Sequence, residues 1–185
     1  MSCSTNRGRQ PIQALRQLLL LRHAKALAAT GDTSDHARGL DPRGRADVAA
    51  LRAAMRVRGL APEVVLVSSA RRTLQTLEAM EPWDDMPLIE PMDSLYMAGP
   101  ETIIAALRQL GPSVRSAMVV AHNPGLHETA RLLADGAGGE AEAAMRAAYP
   151  TACLTEFTIP GGWDALSPGS ARLRLCLTPR TLAGV

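Results

Sequence analysis

The sequence predicts an α/β fold: a three-layer α/β/α sandwich around a mostly parallel mixed sheet. Three observations carry this. Strand-length apolar runs recur at residues 18–21, 64–67 and 117–121. Segments with apolar residues at helical spacing follow each of them. Two further apolar stretches, 153–159 and 173–177, flank a Gly/Pro-rich turn region near the end of the chain, which adds an antiparallel member to the sheet.

The first strand, four leucines at residues 18–21, ends abruptly in Arg22-His23, and residues 24–39 are small and polar, so they form a loop. Asp41-Pro42 is a helix start, with an Asp cap and a proline in the first turn. Val48, Leu51 and Met55 continue that helix at the right spacing, and Gly59 closes it. Residues 64–67 are β-branched-rich and apolar throughout, which suits a strand buried on both faces. Ser68-Ser69 ends this strand, and a helix is expected over 70–80. Leu88-Ile89, between prolines, forms a short strand. Gly99-Pro100-Glu101 opens a helix that runs to Leu110, with Ile103, Ile104, Leu107 and Leu110 on one face. The third strand, 117–121, leads into His122-Asn123-Pro124-Gly125 and a helix over about 126–134. One more helix is expected at 140–148.

The chain has 185 residues, 46% hydrophobic and 21% charged, enough for one domain with a full core and inconsistent with wholesale disorder. Residues 1–17 carry Arg7, Arg9 and Arg16, no acid and no apolar h-region. They are expected to be a flexible tail rather than a signal peptide, with residues 18–185 as a single domain. No apolar run approaches the ~20 residues of a membrane span. A net charge of +2 is far below that of a bulk nucleic-acid binder, so neither membrane nor nucleic acid is expected as a partner. Cys3, Cys153 and Cys176 have no metal-binding spacing; such a sparse, odd set suits a reducing compartment, and the expected location is the cytoplasm. Only one of the 20 basic residues is a lysine (Lys25), and in a chain so rich in arginine a lone Arg is uninformative.

Position is more informative. The three strands end in Arg22-His23, in Ser68-Ser69-Ala70-Arg71-Arg72 and in His122-Asn123-Pro124-Gly125. In an open α/β sheet, ligands bind beyond the carboxyl ends of the strands. If these strands are neighbours, two imidazoles and one or two guanidiniums meet in one crevice. Guanidinium forks match phosphate oxygens, and helix N-termini add N–H donors. Such a crevice suits a dianionic phosphoryl group. A neutral imidazole is also a competent nucleophile toward phosphorus near pH 7. The chain carries no P-loop, no HExxH and no acidic metal cluster, so no cofactor and no metal are expected.

These residues resemble the histidine phosphatase (phosphoglycerate mutase-like) superfamily. Leu21-Arg22-His23-Ala24 is similar to its first motif. Ser68, Arg72 and Thr76 match the Ser, Arg and Thr of its second motif at fourfold spacing, which selects Arg72 over Arg71. Val119-Val120-Ala121-His122-Asn123-Pro124-Gly125 is similar to the motif of its second histidine. The resemblance extends to the small SixA-type phosphohistidine phosphatases through Arg38-Gly39-Leu40 to Gly44, Leu95-Tyr96 and a Pro-Arg-x-Leu at residues 179–182. It implies a phosphoglycerate mutase-like sheet, with His23 as the nucleophile that takes the phosphoryl group. Arg22, Arg72 and His122 would bind that group and stabilise the transition state. The backbone at Asn123 would add a further bond, and Arg38 would stand at the pocket rim.

The chain departs from the family at Ala24, where glycine is common, and it is too compact for the inserted subdomain that supplies a catalytic glutamate in larger members. Glu90 and Asp93, just ahead of Leu95-Tyr96, are the candidates for a general acid. His36 and His127 match no motif and read as surface or capping residues. A weak acid suits the labile P–N bond of phosphohistidine better than a sugar phosphate. The resemblance therefore implies a metal-independent phosphatase acting on a phosphohistidine-bearing signalling protein, a phosphotransfer domain or a phosphocarrier. The alternatives are a phosphatase of a small phosphomonoester or nucleotide, and a catalytically inert member that binds phosphoproteins.

Overall fold

The computed structural model describes residues 15–29, 31 and 34–183. Six strands form one sheet: β1 (Arg16–Arg22), β2 (Val64–Ser68), β3 (Leu88–Met92), β4 (Ser116–Ala121), β5 (Leu154–Ile159) and β6 (Arg172–Leu177). Their order is β3-β2-β4-β1-β5-β6. The first four strands are mutually parallel, and β5 and β6 are antiparallel additions at one edge.

β1 shows why the sheet has a layer on each side. Leu18 and Leu20 point into a core with α3 (Pro100–Arg108), α4 (Gly125–Leu133) and α5 (Glu140–Ala147). Leu19 and Leu21 point the other way, into a core with α1 (Pro42–Arg58), α2 (Arg71–Glu78) and α6 (Pro179–Leu182). All four leucines are fully buried. Full burial of such a side chain contributes roughly 1.5–3 kcal/mol, so both helical layers are anchored on this strand.

α1 is built as its sequence specifies. The Asp41 carboxylate accepts from the Gly44 amide at 2.6 Å, Pro42 occupies the first turn, and Gly59 ends the helix at φ +64. Gly44 has a second role: a Cβ there would stand 2.3 Å from the Lys25 carbonyl oxygen. Its absence lets the first turn of α1 lie directly on the backbone that follows β1.

The structure differs from the sequence expectation in three places. β1 begins at Arg16, so Arg16 and Gln17 belong to the sheet rather than to the tail. The Arg16 guanidinium donates to the carbonyls of Gly161 and Pro112, and Gln17 pairs with Ser116 and Glu156, which fastens both residues. The rest of the expected tail, residues 1–14, lies outside the described residues. β3 runs to Met92 through Pro91, which its place at the sheet edge permits. α6 is an additional helix of one turn, opened by a reciprocal capping box between Thr178 and Thr181. Cys153, just before β5, and Cys176, on β6, are free thiols with sulfurs 3.9 Å apart; Cys3 lies outside the described residues.

Candidate active site

β4 lies between β1 and β2, and all three run in the same direction. Their carboxyl ends therefore open on one side of the sheet, and the residues that follow them share a cleft of about 310 Å³. Arg22, Lys25, Arg38 and Arg72 supply four cations to its walls, and Asp35 supplies the one carboxylate among the described lining residues. His23, His122 and Asn123 complete the inner wall.

His23 follows β1, and its amide donates to the carbonyl of Ala121 on β4. Its Nδ1 lies 2.8 Å from the Ala24 carbonyl oxygen. A carbonyl only accepts, so Nδ1 carries the proton and the lone pair is on Nε2. The Arg72 Nε donates to that Nε2 at 3.3 Å.

His122 is oriented in the opposite sense. Arg72 Nη2 donates to its Nδ1 at 3.2 Å, which leaves the proton on Nε2, where it is given to the Ser68 hydroxyl at 2.7 Å. One guanidinium thus bridges two neutral imidazoles whose ring centres are 5.2 Å apart. Burial, with the Arg72 and Arg22 charges behind it, depresses His23 to about 4, although its bond to Ala24 opposes the shift. Burial, then the neighbouring His23 and Arg72, depress His122 to about 3. Both rings are neutral at physiological pH.

The spacing of Ser68, Arg72 and Thr76 acquires a physical reason. Ser68 ends β2 and receives the His122 proton donor. Arg72 lies one helical turn on and turns inward, 3% exposed, whereas Arg71 faces solvent. Thr76, a further turn along, accepts from the Ala24 amide at 3.1 Å and so fastens α2 beside His23. Arg22 and Asn123 are held by a shared acceptor: Arg22 Nη1 and Asn123 Nδ2 donate to the Tyr149 carbonyl at 2.8 and 2.9 Å. Arg22 Nε and Asn123 Oδ1 are buried without a protein partner.

Arg38 lies on the cleft wall. The two candidate acids do not reach the cleft. Glu90 stands on edge strand β3 in register with Leu66 and lines a separate groove with Val64, Leu110 and Val114. Asp93 is exposed at the start of the 3-10 turn Asp93–Leu95. Proximity to Tyr96 in sequence placed them wrongly, because the chain turns between them and the tyrosine.

The carboxylate at the cleft is Asp35, on the 3-10 turn Asp35–Ala37. It accepts from Tyr96 Oη at 2.7 Å, from Arg38 Nε at 3.0 Å and from Arg72 Nη2 at 3.0 Å. The Tyr96 hydroxyl first and then Arg38 hold its carboxyl well below the ordinary carboxylate range. A cap-forming Ser34 directly before it was the available sequence signal. His36 also approaches the site, bonding the Ser69 hydroxyl at 3.1 Å and packing edge-on against Tyr96. His127 lies outside it, bonded to the Met145 carbonyl. No helix is long and apolar enough to cross a membrane, and no group of three or more His, Cys, Asp or Glu is placed to hold a metal, both among the described residues.

No protein-family model matches the chain. An uncharacterised protein of Mycobacterium tuberculosis is 33% identical to it over 155 residues, which covers 83% of this chain and 96% of that protein. A candidate phosphohistidine phosphatase SixA from Nakamurella multipartitia has a similar structure, with a TM-score of 0.79 at 28% identity over 90% of this chain and 97% of the other. A candidate SixA phosphohistidine phosphatase from Agrobacterium tumefaciens gives a TM-score of 0.73 at 29% identity over 89% and 98%.

Proposed function

The chain belongs to the histidine phosphatase superfamily, as a relative of the SixA proteins, and from that premise we propose that it hydrolyses phosphohistidine on a phosphotransfer domain or phosphocarrier protein. The observation that carries the reading is the Arg72 bridge between Nε2 of His23 and Nδ1 of His122. It presents a fixed, neutral nucleophile beside a guanidinium fork, in a cleft whose other cations are Arg22, Lys25 and Arg38.

The chemistry follows from the tautomer. Nε2 of His23 attacks phosphorus as the P–N bond of the substrate breaks. The leaving ring takes the electron pair and, already protonated on its other nitrogen, departs as neutral imidazole. His23 becomes a phosphoimidazolium, whose charge its Nδ1–H shares with the Ala24 carbonyl. Water then attacks phosphorus, the P–Nε2 bond breaks, its electron pair returns to His23, and the water proton passes to solvent. Arg72 and Arg22 hold the equatorial oxygens in both steps, and His122, bonded to Ser68, keeps Arg72 oriented.

Asp35 supports the choice of leaving group. It is kept ionised by Tyr96 and Arg38, so it is not a proton donor for an alkoxide. An imidazole leaving group does not need one. A second observation favours a protein substrate over a small one. The cleft adjoins a further hollow of about 250 Å³ that shares Lys25 and Thr151 with it and adds Arg43, Asp47 and Arg180. That is basic surface beyond the needs of one phosphoryl group.

The test compares loss of phosphate from a phosphohistidine carrier protein with hydrolysis of p-nitrophenyl phosphate and a set of sugar and nucleotide monophosphates. EDTA is present throughout, because guanidiniums supply the positive charge. Fast, His23-dependent turnover of the phosphoprotein with slow monoester hydrolysis is expected. Faster monoester turnover would move the substrate to small molecules, and no turnover of any would leave a phosphoprotein-binding role.

A further inference from the structure

Each nitrogen of the Arg72 guanidinium is engaged by the protein itself. Nε donates to His23 Nε2, Nη1 to the Asp35 carbonyl at 2.7 Å, and Nη2 to both His122 Nδ1 and Asp35 Oδ2. One Nη1 N–H is left over, so a phosphoryl group held by a two-donor fork of Arg72 needs some of these donors. The two imidazoles are buried and fixed by Ala24 and Ser68, and the Asp35 carbonyl belongs to the backbone of a 3-10 turn. The Asp35 carboxylate is different. Its side chain is 51% exposed, so it can leave Arg72 for water at little desolvation cost. It also carries the charge and the oxygen geometry of the ligand the fork would take.

We propose that Asp35 is an affinity-setting residue of the phosphoryl site: its carboxylate occupies the Arg72 fork as an internal anion that an incoming phosphoryl group displaces. The proposal rests on the phosphoryl-binding reading of the cleft. A phosphoryl dianion offers three oxygens and reaches Arg22 as well as Arg72, so it gains contacts that a carboxylate on Arg72 lacks. A singly charged anion with two oxygens exchanges one such contact for an equivalent one and gains little. The internal anion weakens every displacing anion by one factor, so carboxylates, which gain no further contact, fall below the affinity needed to occupy the site. Tyr96 and Arg38 set the strength of this competition, because they hold the carboxylate in place from its outer side. Displacement does not release Arg72, since His23, His122 and the Asp35 carbonyl keep it oriented.

The direction of the effect distinguishes this from simple positioning. Inorganic phosphate and acetate are titrated at pH 8 into the full chain, its Asp35→Asn variant and its Tyr96→Phe variant, with thermal melts to confirm folding. Removing the internal anion should tighten phosphate roughly fivefold and acetate by at most the same factor, since both displace the same carboxylate. Tyr96→Phe keeps the charge but loosens its hold, so phosphate should tighten roughly twofold. Unchanged or weaker phosphate binding by Asp35→Asn would mean that the carboxylate only positions Arg72, and the proposal would fall. Tightening in Asp35→Asn with none in Tyr96→Phe would reduce it to a field effect and would also overturn displacement. If Asp35→Asn does not fold, the sign of the Tyr96→Phe result decides alone. Should the unaltered chain and both variants all fail to bind phosphate, the phosphatase reading itself would be lost.

Discussion

Nδ1 of His23 lies 2.8 Å from the Ala24 carbonyl oxygen, one residue along its own backbone. This short-range contact fixes the ring's tautomer before any ligand is considered, and it aims Nε2 at Arg72. The nucleophile itself stands on the residue that follows β1, whose four leucines are fully buried, where the backbone has little freedom. His23→Ala should reduce turnover to the background rate and leave no acid-labile phosphoenzyme in a rapid-quench experiment with labelled substrate. Near-normal turnover in a folded His23→Ala protein would move the nucleophile elsewhere.

Arg72 makes contacts that a lysine cannot reproduce. Its planar fork reaches His23, His122 and the turn at Asp35 at once, whereas an ammonium on a flexible stem can satisfy one of them well. Arg72→Lys should therefore lower kcat/KM by about 10²-fold, with Arg72→Ala worse, as for loss of a transition-state donor elsewhere. Steady-state kinetics on a phosphohistidine protein would measure this. A loss below about threefold would show that Arg22 carries the phosphoryl group instead.

The parts of the site carried by strand ends were legible in the sequence, and the parts carried by loops were not. Leu18 to Leu21, Val64 to Val67 and Ala117 to Ala121 announce buried strands by composition, and parallel order then places Arg22, His23, Arg72 and His122 together. Asp35 and Lys25 come from irregular segments with no period, so no spacing argument reaches them. Tyr96 was visible only as part of a signature, without a role; its hydroxyl proves to be the tether of Asp35. Glu90 failed as a candidate acid because it stands in mid-strand beside Leu66 and faces a groove shared with α3, not the carboxyl ends of the strands. α6 escaped notice because one turn of helix is too short to show a period, and its marker is the Thr178–Thr181 box.

The depressed imidazoles have a consequence for pH dependence. His23 titrates at about 4 and His122 at about 3 in the folded protein, below the ordinary 6.5. The nucleophile must be neutral, so the enzyme's own contribution to the acid limb of kcat/KM should fall near pH 4 rather than near 6.5, after correction for the titration of the substrate. Stability follows the same shifts. Between pH 6.5 and 4 the unfolded chain binds protons at these histidines and the folded chain does not, so this contribution is complete above pH 6.5 and is lost as pH falls through that window. Urea midpoints of His23→Ala and His122→Ala should depend less on pH there than those of the unaltered chain. Parallel curves would mean that the rings are charged in the folded protein.

Gly125 tests how closely the site depends on packing between α3 and α4. A Cβ on Gly125 would stand 1.8 Å from the Ala98 carbonyl oxygen and 3.0 Å from Gly99 Cα, both backbone atoms that cannot swing aside. Ala98 follows Met97, a cleft-lining residue held at φ +50, and it precedes the first turn of α3. Gly125 itself opens α4 three residues after His122, whose carbonyl accepts from the Leu126 amide at 2.9 Å. An added methyl must therefore part the two helices and shift the backbone of His122. Gly125→Ala should cost about 1–3 kcal/mol of stability, measured by urea denaturation, and lower kcat more than it raises KM. Gly111→Ala is the control: its Cβ would meet only the Ser113 hydroxyl, at 3.8 Å, and its effect should stay within about 0.5 kcal/mol. Equal behaviour of the two variants would show that the approach of α4 to the Ala98 turn is not what holds His122 in register with Arg72.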